Sequence, residues 1–201
     1  MFLVKQEKFF ASLHTQMDLL TEASRLLLEG GRQGGSGSEI AETIDRLRGQ
    51  AAELSAEIAR ELSRTLITPI DPEDILRLSS SMRRLVETLG RAASRQQFCP
   101  CKPAPAELVE EMEIIHECSL AVKSAFGSFR NGALARHCDR IGELRARAGL
   151  VARQGRMKVF ASDLGPIGVI RLRETFDVTE LILSRYGTLS DTLKRIKLKN
   201  G

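Results

Sequence analysis

The sequence predicts an all-α fold of six long helices, on three observations. Apolar residues recur every three to four positions through six separate stretches, the spacing that keeps them on one face of a helix. No stretch alternates apolar and polar residues as a half-buried strand would. The composition leans the same way: there is no Trp, only one Tyr, and aromatics total 4%, in a chain rich in Leu, Ala, Arg and Glu.

The first helix is placed from about Gln6 to Glu29, with Phe9, Leu13, Met17, Leu20 and Leu27 along its stripe. The Gly-rich stretch that follows, residues 30–38, reads as a flexible linker, with Ser38 as N-cap of the second helix. It lacks the Lys-Ser/Thr of a P-loop, so it is not read as a phosphate cradle. The second helix carries Ile40, Ile44, Leu47, Ala51, Leu54, Ile58 and Leu62, the seam of a helical bundle.

The connection "TLITPIDPEDILRL", residues 65–78, holds three acids: Asp71, Glu73 and Asp74. Metal ligation or catalysis is one reading; the start of a helix is the better one. Pro69 ends the helix upstream by pushing Thr68 out of helical geometry. Asp71 suits the N-cap and Pro72 the first helical position, where its missing N–H is no loss. Glu73 and Asp74 then meet the positive end of the helix dipole. The third helix follows with Ile75, Leu78, Met82, Leu85 and Leu89.

"CPCKPAP", residues 99–105, breaks the chain in the middle. The fourth helix shows Leu108, Met112, Ile115, Val122, Ala125 and Phe129, and Asn131-Gly132 ends it. The fifth shows Leu134, Ile141, Leu144, Ala148, Val151 and Val159; "DLGPIG", residues 163–168, separates it from a sixth with Ile170, Phe176, Leu183, Leu189, Leu193 and Ile196. At about 25 residues each, the helices are about 40 Å long. Ile44, Leu47-Arg48 and Ala51 recur 97 positions later as Ile141, Leu144-Arg145 and Ala148. That repeat divides the chain into three-helix units, residues 1–98 and 99–201.

The remaining features exclude more than they assign. Thirty basic and 26 acidic residues leave a net charge of +4 with no Lys/Arg-rich run of five, so no nucleic-acid partner is expected. No apolar run could cross a bilayer, and charges appear too early at the N-terminus for a signal peptide, so a cytoplasmic location is expected. Cys99 and Cys101, with His116, Cys118, His137 or Cys138, make a poor zinc set: Cys-x-Cys is too tight, and His116 and Cys118 point to different sides of one helix. They are read as plain thiols. His14 is read as a surface or boundary residue. The Arg-rich segment 140–158 is read as a solvated face, its guanidinium groups spread around the helix. No nucleophile elbow or Ser-His-Asp pattern is present, and no enzyme activity, catalytic residue, bound cofactor or metal site is assigned.

"KFF" at residues 8–10, "LITPIDPEDI" at 66–75 and "IKLKNG" at 196–201, on long helices throughout, resemble the PhoU-like, Pit-accessory phosphate transport regulators. The resemblance implies two pseudo-symmetric three-helix bundles. It implies an accessory protein working by contact with a Pit-type membrane phosphate transporter, reaching the membrane only through it, with homo-oligomerisation left open. Such proteins carry multinuclear iron or zinc sites on Glu/Asp-x-x-x-Asp motifs, which set two carboxylates one helical turn apart. Here the matching pairs are Arg48 and Ala52, Arg83 and Glu87, Arg145 and Gly149, and Glu180 and Ser184. Only Glu87 and Glu180 keep a carboxylate. An arginine repels a cation and has no lone pair to offer it. The metal clusters are therefore expected to be lost, with Arg48 and Arg83 pairing with Glu87, and Arg145 with Glu180. The alternative function is a basic helical adaptor for nucleic acid or an anionic membrane surface.

Overall fold

The computed structural model describes residues 2–33, 37–97, 104–128 and 133–200, without the side chains of residues 2–7 and 37. It contains six helices and, among the described residues, no strand. They are α1 (Phe2–Gln33), α2 (Gly37–Ser63), α3 (Pro72–Gln97), α4 (Ala106–Gly127), α5 (Leu134–Phe160) and α6 (Pro166–Asn200). Four of them close a central ring, α1 on α3, α3 on α6, α6 on α4 and α4 on α1. α2 lies against α1 and α3 on one flank, and α5 against α4 and α6 on the other. One contiguous core runs through the bundle. No helix among the described residues is long and apolar enough to cross a membrane.

The predicted stripes are the buried ones. Leu13, Met17, Leu20 and Leu27 of α1, Ile75, Leu78, Met82, Leu85 and Leu89 of α3, and Phe176, Leu183, Leu189, Leu193 and Ile196 of α6 are all enclosed. Each such side chain stabilises the bundle by about 1.5–3 kcal/mol through burial alone. Two stripes depart from expectation: Ile170 of α6 stands 55% exposed, and Ile40, Leu47, Leu54 and Leu62 of α2 are only half-buried. Phe129, Asn131, Gly132, Cys99 and Cys101 lie outside the described residues.

The stretch read as a linker is mostly helix. α1 continues through Gly30 and Gly31 to Gln33, while residues 34–36 lie outside the described residues. The reason is packing. A Cβ on Gly31 would sit 2.6 Å from Met112 Sδ, and one on Gly30 would sit 3.1 Å from Gln96 Oε1. These glycines let α1 approach α3 and α4 closely. α2 begins at Gly37, so Ser38 falls in its first turn, where its hydroxyl reaches Glu42 at 3.4 Å instead of capping the helix.

Candidate functional site

The turn at residues 65–75 is built as the sequence indicates. The Glu73 N–H donates to Asp71 Oδ1 at 3.0 Å, and the N–H groups of Asp74 and Ile75 donate to the Asp71 carbonyl. That N-cap hydrogen bond, then the nearby Lys199 ammonium, hold the Asp71 carboxyl below its ordinary value. Thr68 Oγ1 closes the turn on the Ile70 carbonyl at 2.7 Å.

Asp74 does more than favour the dipole. It is 1% exposed and pairs with two cations from the far end of the chain, Arg195 at 3.2 Å and Lys199 at 3.0 Å. Lys199 also reaches Asp71 at 3.4 Å. The turn at 66–75 and the last described turns of α6 thus meet at one end of the bundle. α3 and α6 run antiparallel from this point: Arg185 Nη1 donates to the Arg84 carbonyl, and Arg95 pairs with Glu174 at the other end. Replacing Asp74 with Ala removes the shared acceptor but leaves both cations able to hydrate. The expected cost is about 1–3 kcal/mol in chemical denaturation, with earlier amide exchange in the last turns of α6.

The eight positions matching the carboxylate motifs lie on the outward faces of the α2–α3 and α5–α6 pairs, half-buried at Arg48 and Arg83 and exposed at the rest. Their pairing differs in part from expectation. Arg83 does face Glu87, at 3.6 Å with both side chains open to solvent over a third or more of their surface, a pair worth little. Arg48 pairs with Asp45 at 2.5 Å and not with Glu87. Glu180 is held by Arg156 at 2.7 Å and not by Arg145. The Arg48–Asp45 pair is local, three positions apart on α2, whereas Arg156 reaches Glu180 across the α5–α6 contact.

Arg48 and Arg145 do something periodicity did not reveal: each lies across a glycine of the facing helix. A Cβ on Gly90 of α3 would meet Arg48 Cδ at 2.3 Å, and a Cβ on Gly187 of α6 would meet Arg145 Nη1 at 2.3 Å. Both arginines and both glycines are 97 positions apart (48 to 145, 90 to 187). The same offset carries α2 onto α5 at both ends (37 to 134, 63 to 160). A multinuclear cation site does not fit these faces. Guanidinium groups fill the crossings where donors would be needed, and among the described residues no three His, Cys, Asp or Glu side chains converge.

Among the described residues the histidines and cysteines do not gather into a metal-ligating group. His14 is exposed and meets the Phe126 ring edge-on at 4.8 Å. His116 is half-buried with Nδ1 2.9 Å from Ser24 Oγ; burial first, then Arg25, holds its pKa below the ordinary value. Cys118 and Cys138 are buried free thiols. Burial pushes Cys118 up to about 12, so it is an inert thiol and not a nucleophile.

Two buried polar groups escaped the sequence reading. Glu111 of α4 is fully enclosed; Thr179 Oγ1 of α6 donates to its Oε2, while its Oε1 has no partner. Burial pushes its carboxyl up to about 7, against the Thr179 hydrogen bond and the pull of Arg156. Tyr186 is also enclosed, its hydroxyl bonded to Ser119 Oγ and its pKa raised by burial. The signal for Glu111 was present: it lies three positions after Leu108 and four before Ile115, on the buried stripe.

The architecture is one already seen in proteins of a known class. A PhoU-like protein from Shewanella oneidensis MR-1 superposes with a TM-score of 0.80 at 17% identity, over 95% of this chain and 99% of that one. The phosphate transport system regulatory protein PhoU from Streptococcus pneumoniae superposes at 0.64 and 12% identity, over 99% and 98%. The fold is therefore PhoU-like. In sequence, the UPF0111 protein YkaA of Bacillus subtilis (strain 168) is 22% identical over 165 residues, covering 81% of this chain and 80% of that protein. No family model matches the chain.

Proposed function

We propose that this protein regulates or assists phosphate transport by contact with a Pit-type membrane transporter, and that it performs no catalysis. The observation that carries this reading is the PhoU-like fold along 95% of the chain, with a phosphate transport regulator among its structural neighbours. The chain is built as two three-helix repeats, residues 1–98 and 99–201. The common offset of α2 and α5 and of the two arginine–glycine crossings supports that division. The metal clusters of the resembled regulators have been given up, and guanidinium contacts now span those helix pairs.

The test is phosphate uptake through the Pit-type permease of the source organism, with and without this gene, together with affinity capture of the permease. Co-capture and an altered uptake rate on deletion are expected. An unchanged rate with no permease in the captured fraction contradicts the reading.

A further inference from the structure

We propose that the α5–α6 hairpin end docks directly on an anionic lipid surface. α5 has two apolar faces. One holds Ala148, Val151, Gly155 and Val159 in the core. The other holds Leu150, Met157 and Phe160 in solvent, at helical spacing with Arg153 between them. Just past the turn, at the start of α6, Ile167 and Ile170 are exposed as well. These five side chains are between 55% and 68% exposed. They account for half of the large exposed apolar residues in the described chain, gathered on 21 consecutive positions (150–170).

The charge around them has one dominant sign. Residues 150–174 contain Arg153, Arg156, Lys158, Arg171 and Arg173 against Asp163 and Glu174. Arg156, Lys158 and Arg173 have acidic partners on the bundle, at Glu180, Glu107 and Asp177. Arg153 and Arg171 form no ion pair among the described residues, so they are available to an outside anion. Glu174 is occupied by Arg95. Protruding apolar side chains flanked by free guanidinium groups match a headgroup layer: the apolar groups enter the acyl boundary while the arginines meet lipid phosphates. This contact would be the protein's own and does not rest on the phosphate-transport reading.

The test is co-sedimentation of the full chain with phosphatidylcholine vesicles, with and without about 30% phosphatidylglycerol. Binding to the anionic vesicles is expected, weakening with added salt. Phe160→Ser with Ile167→Ser, and separately Arg153→Glu with Arg171→Glu, should each weaken it by at least about tenfold. All four side chains are exposed, so helicity and melting should stay as in the parent, which checks the fold. Failure to sediment with anionic vesicles, equal binding to neutral ones, or binding untouched by both variants would overturn the proposal. So would capture of a detergent-solubilised permease through these four residues without vesicle binding, since the end would then be a protein-docking surface.

Discussion

Glu111→Gln is expected to gain about 3 kcal/mol over the wild type as the pH rises from about 4.5 to about 8. The cause is a carboxyl enclosed between α4 and α6 with one oxygen bonded to Thr179 and the other unpartnered. Burial raises its folded-state pKa to about 7, from an ordinary value of 4.5. Between those two values the folded chain holds a proton that the unfolded chain has released. Stability therefore falls as the pH rises through this window, and above the folded pKa the native state carries a buried charge. Below 4.5 both states are protonated and the penalty vanishes. Gln cannot ionise, so its stability should lack this slope. Urea unfolding of both proteins at the two pH values measures the difference, and a gap independent of pH would show that Glu111 is ionised without penalty.

The second large effect is a coupling between Gly155 of α5 and Phe176 of α6. Both are buried, and a Cβ on Gly155 would lie 2.4 Å from Phe176 Cζ and 3.1 Å from Glu107 Cβ of α4. The ring of α6 and a side chain of α4 thus both close on the bare α5 backbone at Gly155. Gly155→Ala should cost about 1–3 kcal/mol despite Ala being the better helix former, because an enclosed ring has no room to retreat. Phe176→Ala should cost about 3–5 kcal/mol through the lost burial and the cavity left behind. The informative result is the double variant. Without the ring, Gly155→Ala becomes neutral or stabilising by up to about 1 kcal/mol, the helix-propensity gain alone. Gly149→Ala is the control: nothing lies within 4 Å of its added methyl, so it should stabilise in either background. Additive costs for Gly155 and Phe176 would mean that the ring and the glycine do not constrain each other.

How far the sequence could be read follows from the kind of signal each feature leaves. Helix number and core faces were legible because burial imposes a period, and Leu78, Met82 and Leu85 keep it without interruption. The Asp71 cap was legible because capping is local chemistry. Gly30 and Gly31 were misread as linker because composition alone cannot separate a flexible glycine from one that lets two helices approach. Arg48 and Arg145 were known as departures from a carboxylate pattern, but their partners were not. Whether an arginine meets Asp45, Glu87 or a bare glycine depends on crossing geometry that no single helix encodes. Ile170 faces outward because it lies six positions before Phe176, about 240° around the helix, whereas Leu172, four before it, is in phase and buried. Glu111 lies visibly on the buried stripe of α4, whereas its partner Thr179, and the partners Arg195 and Lys199 of Asp74, come only from tertiary packing.

On the proposed reading, guanidinium crossings stand where the resembled regulators hold metal. Elemental analysis of the purified native protein by plasma mass spectrometry tests this most directly. Less than one iron or zinc atom per chain is expected. Two or more stoichiometric iron or zinc atoms, bound near Glu87 or Glu180, would contradict it.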